Sequence, residues 1–128
     1  MHTLAENKLS REIIGACIEI HRELGPGLLE SIYEEALCFE LNALGLCFER
    51  QKQIPVTYKG HRMNLGFRAD VIVEDLVLVE LKSVEEFSKA HPKIVLSYLR
   101  LTDLKLGLLI NFNEVLLKDG IKRIVNDL

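Results

Sequence analysis

Cysteine is scarce in this sequence: Cys17, Cys38 and Cys47 are the only three, and no two stand in CxxC spacing. An odd count without that spacing excludes a disulfide framework and offers no zinc site. Each cysteine falls among apolar residues and reads as a small core side chain, which fits a reducing, cytoplasmic setting. Long hydrophobic runs are missing too. No stretch approaches the roughly 20 apolar residues that a membrane helix needs, so no membrane association is expected. The start of the chain, Met1-His2-Thr3-Leu4-Ala5-Glu6, lacks the basic stretch and apolar core of a signal peptide. A basic excess is also absent. The formal net charge is −3 at pH 7, whereas proteins held to phosphates mainly by non-specific attraction carry a clear positive balance. Any nucleic-acid role therefore needs a local basic surface or a bound cation. Repeats, linkers and low-complexity segments are not found.

What remains is a chain of 128 residues, 48% apolar and 27% charged. That is the size and composition of one globular domain, so residues 1–128 are expected to share one core. The first part reads helical. Over residues 9–24, Ile13, Ile14, Cys17, Ile18 and His21 recur on one helix face, with Ser10 as the expected N-cap. Gly25-Pro26-Gly27 stops that helix. A second carries Leu29, Ile32, Tyr33, Ala36, Leu37, Leu41 and Leu44 on a stripe and ends at Gly45. The period then changes to two. Residues 53–58, 63–73 and 76–84 read as strands, with Lys59-Gly60 as a turn. Residues 88–104 return to helical spacing, with Ile94, Val95, Tyr98, Leu99, Leu101 and Thr102 covering a sheet and Pro92 in the first turn. Residues 106–112 form an apolar run typical of a strand buried on both faces, and Asp119-Gly120 signals a hairpin within residues 116–125. The order is ααβββαβ plus a terminal hairpin or strand.

The informative charges lie where charge does not belong. In the strand Leu76 to Lys82, both faces are apolar for half its length, yet Glu80 and Lys82 interrupt its C-terminal end. Burying a lone charge costs several kcal/mol unless it is paired or bound to metal. A strand ending on an exposed ion pair is one reading of this Glu-x-Lys, and a site is the other. Asp70 lies inside the preceding strand, where aspartate is a poor fit. Parity decides whether it joins them. A two-residue loop at Glu74-Asp75 would send Asp70 and Glu80 to opposite sheet faces, whereas a three-residue loop, Glu74 to Leu76, would set them opposite each other. A site therefore requires an odd register or a bulge. Two carboxylates and an ammonium on one face suit magnesium, which is bound by one or two carboxylates and keeps several waters.

Asp70 and Glu80-Leu81-Lys82 resemble the D…ExK core of the PD-(D/E)XK nuclease superfamily, with Ala69 in place of the eponymous proline. Gly27-Leu28-Leu29-Glu30-Ser31-Ile32-Tyr33 resembles the motif of the bacterial GxxExxY protein family, as do Glu34-Glu35-Ala36-Leu37 and the segment Leu106 to Phe112. The resemblance implies an α/β (α+β) fold with a restriction-endonuclease-like αβββαβ core, a mixed central sheet flanked by helices. It implies a metal-dependent nuclease using Mg2+ or Mn2+, with Asp70, Glu80 and the Leu81 carbonyl as metal ligands, Lys82 as the catalytic lysine and Glu30 as an accessory acid. A solvated helix charge is the alternative for Glu30. Related sequences carry QxxxY on the following helix. Here the match is Ile94-Val95-Leu96-Ser97-Tyr98, with isoleucine in the glutamine position. Tyr33 and His21 lie on apolar faces and read as core residues, and His2, His61 and His91 lack metal-ligand spacing. Substrate contact is expected from Arg62 and Arg68, beside Lys59 and His61, and from Lys93 and Tyr98, beside Lys89 and His91, with a solvated basic surface, and core packing for Tyr98, as the alternatives. The expected partner is nucleic acid. So short a chain leaves little room for a recognition domain, so specificity would need a homodimer or a partner protein. A nuclease-like binding or scaffold protein without turnover is the alternative.

Overall fold

The computed structural model describes residues 4–128; Met1, His2 and Thr3, and with them the readings of the N-terminus and of His2, lie outside it. Helix α1 (Ala5–Leu24) begins a turn earlier than its apolar face suggests. Nothing in Ala5, Glu6, Asn7 or Lys8 opposes a helix. Ser10 is therefore not the N-cap: it is buried inside the helix, and its hydroxyl donates to the Asn7 carbonyl at 3.4 Å. The buried stripe is Leu9, Ile13, Ala16, Cys17 and Ile20. It is centred on Ile13 and Cys17, and this leaves Ile18 exposed. Gly25 and Gly27 end the helix at φ +72° and +93°, angles that only glycine takes without strain.

The loop they form is fastened by Tyr33 of helix α2 (Glu30–Ala43). Its hydroxyl donates to the Gly25 carbonyl at 2.6 Å and accepts the Leu28 N–H at 3.1 Å, while its ring stacks on Phe112. The tyrosine of the Gly27–Tyr33 motif is thus a buried strut. Tyr33, Leu37, Cys38 and Leu41 form the buried stripe of α2. Leu29, Ile32 and Leu44, expected on that stripe, are exposed because they lie at the helix ends and flank. Cys47 is exposed as well, unlike the other two cysteines.

Strand β1 (Phe48–Tyr58) pairs with β2 (His61–Val73) in a long hairpin. Lys59 and Gly60 at its turn both have positive φ, the geometry that matches the twist of paired strands. Strand β3 (Val77–Lys82) joins β2 antiparallel and β4 (Leu106–Asn111) parallel, with α3 (Ala90–Thr102) as the crossover between them. Strand β5 (Ile121–Val125) closes the sheet, in the order β1-β2-β3-β4-β5. Asp119-Gly120 does not make the expected two-residue hairpin. Leu117–Gly120 is a 3-10 turn, and β5 pairs directly back on β4, from Ile110↔Ile121 to Leu106↔Val125. Leu117 is buried there, and a Cβ at Gly120 would overlap the Asn111 carbonyl, so this segment folds tightly over the end of β4.

The sheet is covered on both faces. Helices α1 and α2 bury Val71, Val73, Val77, Val79, Leu81, Leu108 and Ile110. Helix α3 lies on the other face, over Ile72, Leu78 and Leu109. Every residue of β4 is buried, as its apolar run requires. Gly107 allows the close approach of α3: a Cβ there would stand 2.8 Å from Val95 Cγ1. That approach is narrow. Val95 and Leu99 fill it, while Ile94 and Leu101, expected to cover the sheet, remain exposed on either side.

Candidate metal centre

The site grows from the β2–β3 register. Val73↔Val77, Ile72↔Leu78 and Val71↔Val79 are paired, so Glu74, Asp75 and Leu76 form the loop and the register is odd. Glu74 and Asp75 both take positive φ, and Glu74 is anchored to Cys47 through its own amide and its carboxylate. Continued one step, this register sets Asp70 opposite Glu80. The ladder stops before that step, and the two carboxylates take its place. Glu80 Oε1 accepts the Asp70 N–H at 3.2 Å, and Asp70 Oδ2 accepts the Leu81 N–H at 2.9 Å. A further irregularity lies one strand away. Gln51 has φ +51°, and the β1–β2 pairing runs from Arg50↔Val71 to Lys52↔Ala69 in unchanged register without a pair between Gln51 and Asp70.

Gln51 also brings in α2. Its Nε2 donates to Glu34 Oε1 at 2.5 Å and to Asp70 Oδ1 at 3.4 Å. Glu34 is buried and pairs with Arg50 Nε at 3.0 Å, while Glu35 pairs with Arg50 Nη1 at 2.6 Å. Glu34 and Gln51 were not among the expected site residues. Glu34 had a signal, since a carboxylate beside Tyr33, Leu37 and Leu41 sits on the buried stripe. Gln51 had none. Glu30 lies one turn before Glu34, exposed, and its Oε1 accepts the Ser83 N–H at 3.3 Å just beyond Lys82. The structure thus places Glu30 of α2 at the C-terminal end of β3, with Glu34 joined to Asp70 through Gln51.

Burial raises the pKa of Asp70, and the charge of Glu34 adds to this; the Leu81 N–H, Lys82 and Gln51 oppose it. Glu80 is pushed up to about 8, first by burial and then by the Asp70 charge, against the Asp70 N–H and Lys82. Lys82 is half-buried, near enough to lower both, and forms no ion pair among the described residues. Tyr98 of α3 completes the cluster. Its ring stacks on Phe67 at 3.6 Å, and burial together with the Glu80 and Asp70 charges raises its pKa.

Other expected contacts lie elsewhere. Arg68 is exposed on β2, two residues from Asp70. Arg62 is far out along the same strand, about 20 Å from Asp70 by the six residue steps of β1 that run alongside. Lys93 is exposed on α3, turned about 140° from Tyr98. His21 donates from Nε2 to the Glu114 carbonyl at 2.7 Å, a packing role as its helix face suggested.

A buried and a half-buried carboxylate, both with raised pKa values, are costly as free anions, and a hard cation removes that cost with the oxygen donors already present. Among the described residues no group of three or more His, Cys, Asp and Glu side chains is arranged to hold one ion, and Glu34 is engaged by Gln51 and Arg50. Two carboxylates suffice for an ion that keeps most of its water. The donor set fits a hard divalent cation.

A five-stranded mixed sheet flanked by helices, carrying acidic residues where β2 and β3 diverge, defines a restriction-endonuclease-like fold. Comparison with known families matches residues 7–124 to the PD-(D/E)XK nuclease superfamily. The chain belongs to that superfamily. Its nucleases generally use divalent metals. No curated protein matches the chain, and no solved structure does. Among the described residues, no helix is long and apolar enough to cross a membrane.

Proposed function

We propose that this chain is a GxxExxY-type nuclease that hydrolyses phosphodiester bonds in nucleic acid with Mg2+ or Mn2+. The observation that carries the reading is the pair of carboxylates, buried Glu80 and half-buried Asp70, each accepting a main-chain N–H near the other. Asp70, Glu80 and the Leu81 carbonyl are the residues that would hold the cation. A divalent ion supplies Lewis acidity there and offsets charge on a phosphate. Lys82 supplies an ammonium with no ion pair among the described residues, able to hold a water or a phosphate oxygen beside the carboxylates. Glu30, above the end of β3, is placed to act as an accessory acid. Tyr98 and Arg68 border the cluster on the side where a substrate strand would lie. Magnesium and manganese titrations followed by calorimetry, then cleavage assays on single- and double-stranded DNA and RNA with the same ions, test this reading. Absence of metal-dependent cleavage on all four substrates would sink it.

One observation favours a second reading, a nuclease-like binding protein without turnover. Ile94, in the position of the QxxxY glutamine, shares a helix face with Tyr98 and cannot orient a phosphate or a water. It is 42% exposed, so Ile94→Gln should change stability by less than about 0.5 kcal/mol. On the nuclease reading this substitution raises the cleavage rate severalfold. A wild type that binds without cleaving, and that the substitution does not rescue, selects the binding protein.

A further inference from the structure

Beyond Ile54 and Phe67, which pack under α3, the β1–β2 hairpin leaves the body of the protein. β3 pairs with β2 only at Val71, Ile72 and Val73, so the outer part of β2 has β1 as its sole neighbour in the sheet. From Thr57 to Gly66 every residue is exposed. The result is a free two-stranded arm of about 13 Å, the reach of the four β1 residues beyond Ile54 at roughly 3.3 Å each, with two extra β2 residues taken up by an irregularity opposite Pro55 to Thr57. Its charge is unlike that of the rest of the chain. Between Gln51 and Ala69 there is no aspartate or glutamate, although the whole chain carries a net charge of −3. Lys52 at its base pairs with Glu49. Lys59 at the tip, Arg62 and Arg68 form no ion pair among the described residues.

The arm is also continuous with the candidate centre. Phe67 at its root stacks on Tyr98, whose hydroxyl feels Glu80 and Asp70, and Arg68 stands two residues from Asp70. A polyanion lying along the arm thus runs past the carboxylates. We propose that the arm is a duplex-DNA grip, with Lys59, Arg62 and Arg68 as its phosphate contacts. This deepens the nuclease reading and rests on it for the direction of the substrate. Duplex DNA is favoured by shape: a two-stranded ribbon fits the B-form major groove, whereas the A-form groove of duplex RNA is too narrow for side chains to read. It also supplies a basic surface to a chain whose overall charge opposes phosphate.

The test measures binding in EDTA, where no cleavage can occur, by fluorescence anisotropy of a 20-base-pair DNA duplex (about 20, to exceed the arm's reach). An RNA duplex of the same sequence and a single strand serve as comparisons. The wild type should bind the DNA duplex at least about tenfold more tightly than either. The K59A/R62A/R68A variant should lose that preference, and its slope of log affinity against log salt should fall by about 2.7, from roughly 0.9 per phosphate contact. The charge-retaining K59R/R62K/R68K variant should keep the slope. Equal binding by wild type and the alanine variant, or a preference for RNA or single strands, overturns the proposal. So does a change in sedimentation on alanine substitution without a change in DNA affinity, which makes the arm a contact between copies. DNA binding through the arm without cleavage in magnesium leaves the grip standing and removes the nuclease. Cleavage that the alanine variant retains in full does the reverse.

Discussion

Asp70→Asn is expected to remove both cation binding and cleavage, while Lys82→Ala removes cleavage alone. Asparagine is the sharper replacement for Asp70 because of the Leu81 N–H. Alanine would leave that amide without its acceptor, at a cost of about 1–3 kcal/mol, and would mix a folding defect with the loss of a ligand. Asparagine keeps an acceptor oxygen and removes the charge. Losing a direct ligand should weaken Mg2+ by more than the 10–100-fold typical of supporting residues. Lys82 is different in kind. It carries no oxygen donor, so Lys82→Ala should leave calorimetric cation affinity within a few-fold of wild type, with cleavage falling on the order of 10²–10⁴-fold. Removing its positive charge also removes one of the influences that hold both carboxylates down, so cation affinity measured below pH 7 should show what change there is. An Asp70→Asn protein that binds Mg2+ like wild type would place the ion elsewhere.

Much of this architecture is legible in the residues, and the misses have specific causes. The apolar run of β4, the Gly25-Pro26-Gly27 stop and the Lys59-Gly60 turn are local signals, and each forms where its chemistry says it should. Parity in β2 and β3 reduced the site to one geometric question, the length of the loop after Val73. The odd register answers it in favour of convergence. What parity could not supply is the way the two acids are held. That involves Gln51, whose amide bonds Glu34 and Asp70 and whose left-handed backbone has no signature in a Gln-Lys-Gln stretch. Glu34 was visible as a charge on an apolar stripe, but the motif drew attention to Glu30 instead. Ser10 and Asp119-Gly120 are good cap and hairpin residues overruled by context. Leu9 extends the buried face of α1 toward its N-terminus, and Leu117 needs burial over the end of β4. Ile18, Ile94 and Leu101 lie about 120–140° from the centres of their buried stripes at 100° per residue, on flanks that stay exposed.

The strongest physical consequence of the paired carboxylates is that, without a cation, the protein should lose stability as pH rises. Glu80 titrates near 8 in the folded chain against an ordinary value of 4.5. Between those values the folded state holds a proton that the unfolded state has released, so the slope of unfolding free energy against pH is negative. The stabilising protonated form is complete below about pH 4.5 and is lost as pH passes through about 8. Each unit of difference corresponds to about 1.4 kcal/mol, so the change across the window is several kcal/mol for a group this buried. Asp70 is shifted in the same direction and adds to it at the acid end. Chemical denaturation in EDTA from pH 5 to 8.5 should therefore show a falling midpoint. Glu80→Gln, which keeps an acceptor for the Asp70 N–H but cannot ionise, should flatten the curve and exceed wild type at pH 8. Mg2+ should reverse the wild-type loss at pH 8, by about 2.7 kcal/mol at one hundred times its dissociation constant. It should do less at pH 5, where the proton already neutralises the site, and nothing comparable in Glu80→Gln. A wild-type midpoint that stays level or rises across this range, with Glu80→Gln following the same course, would mean that Glu80 ionises freely and that no cation is needed to hold the two strands together.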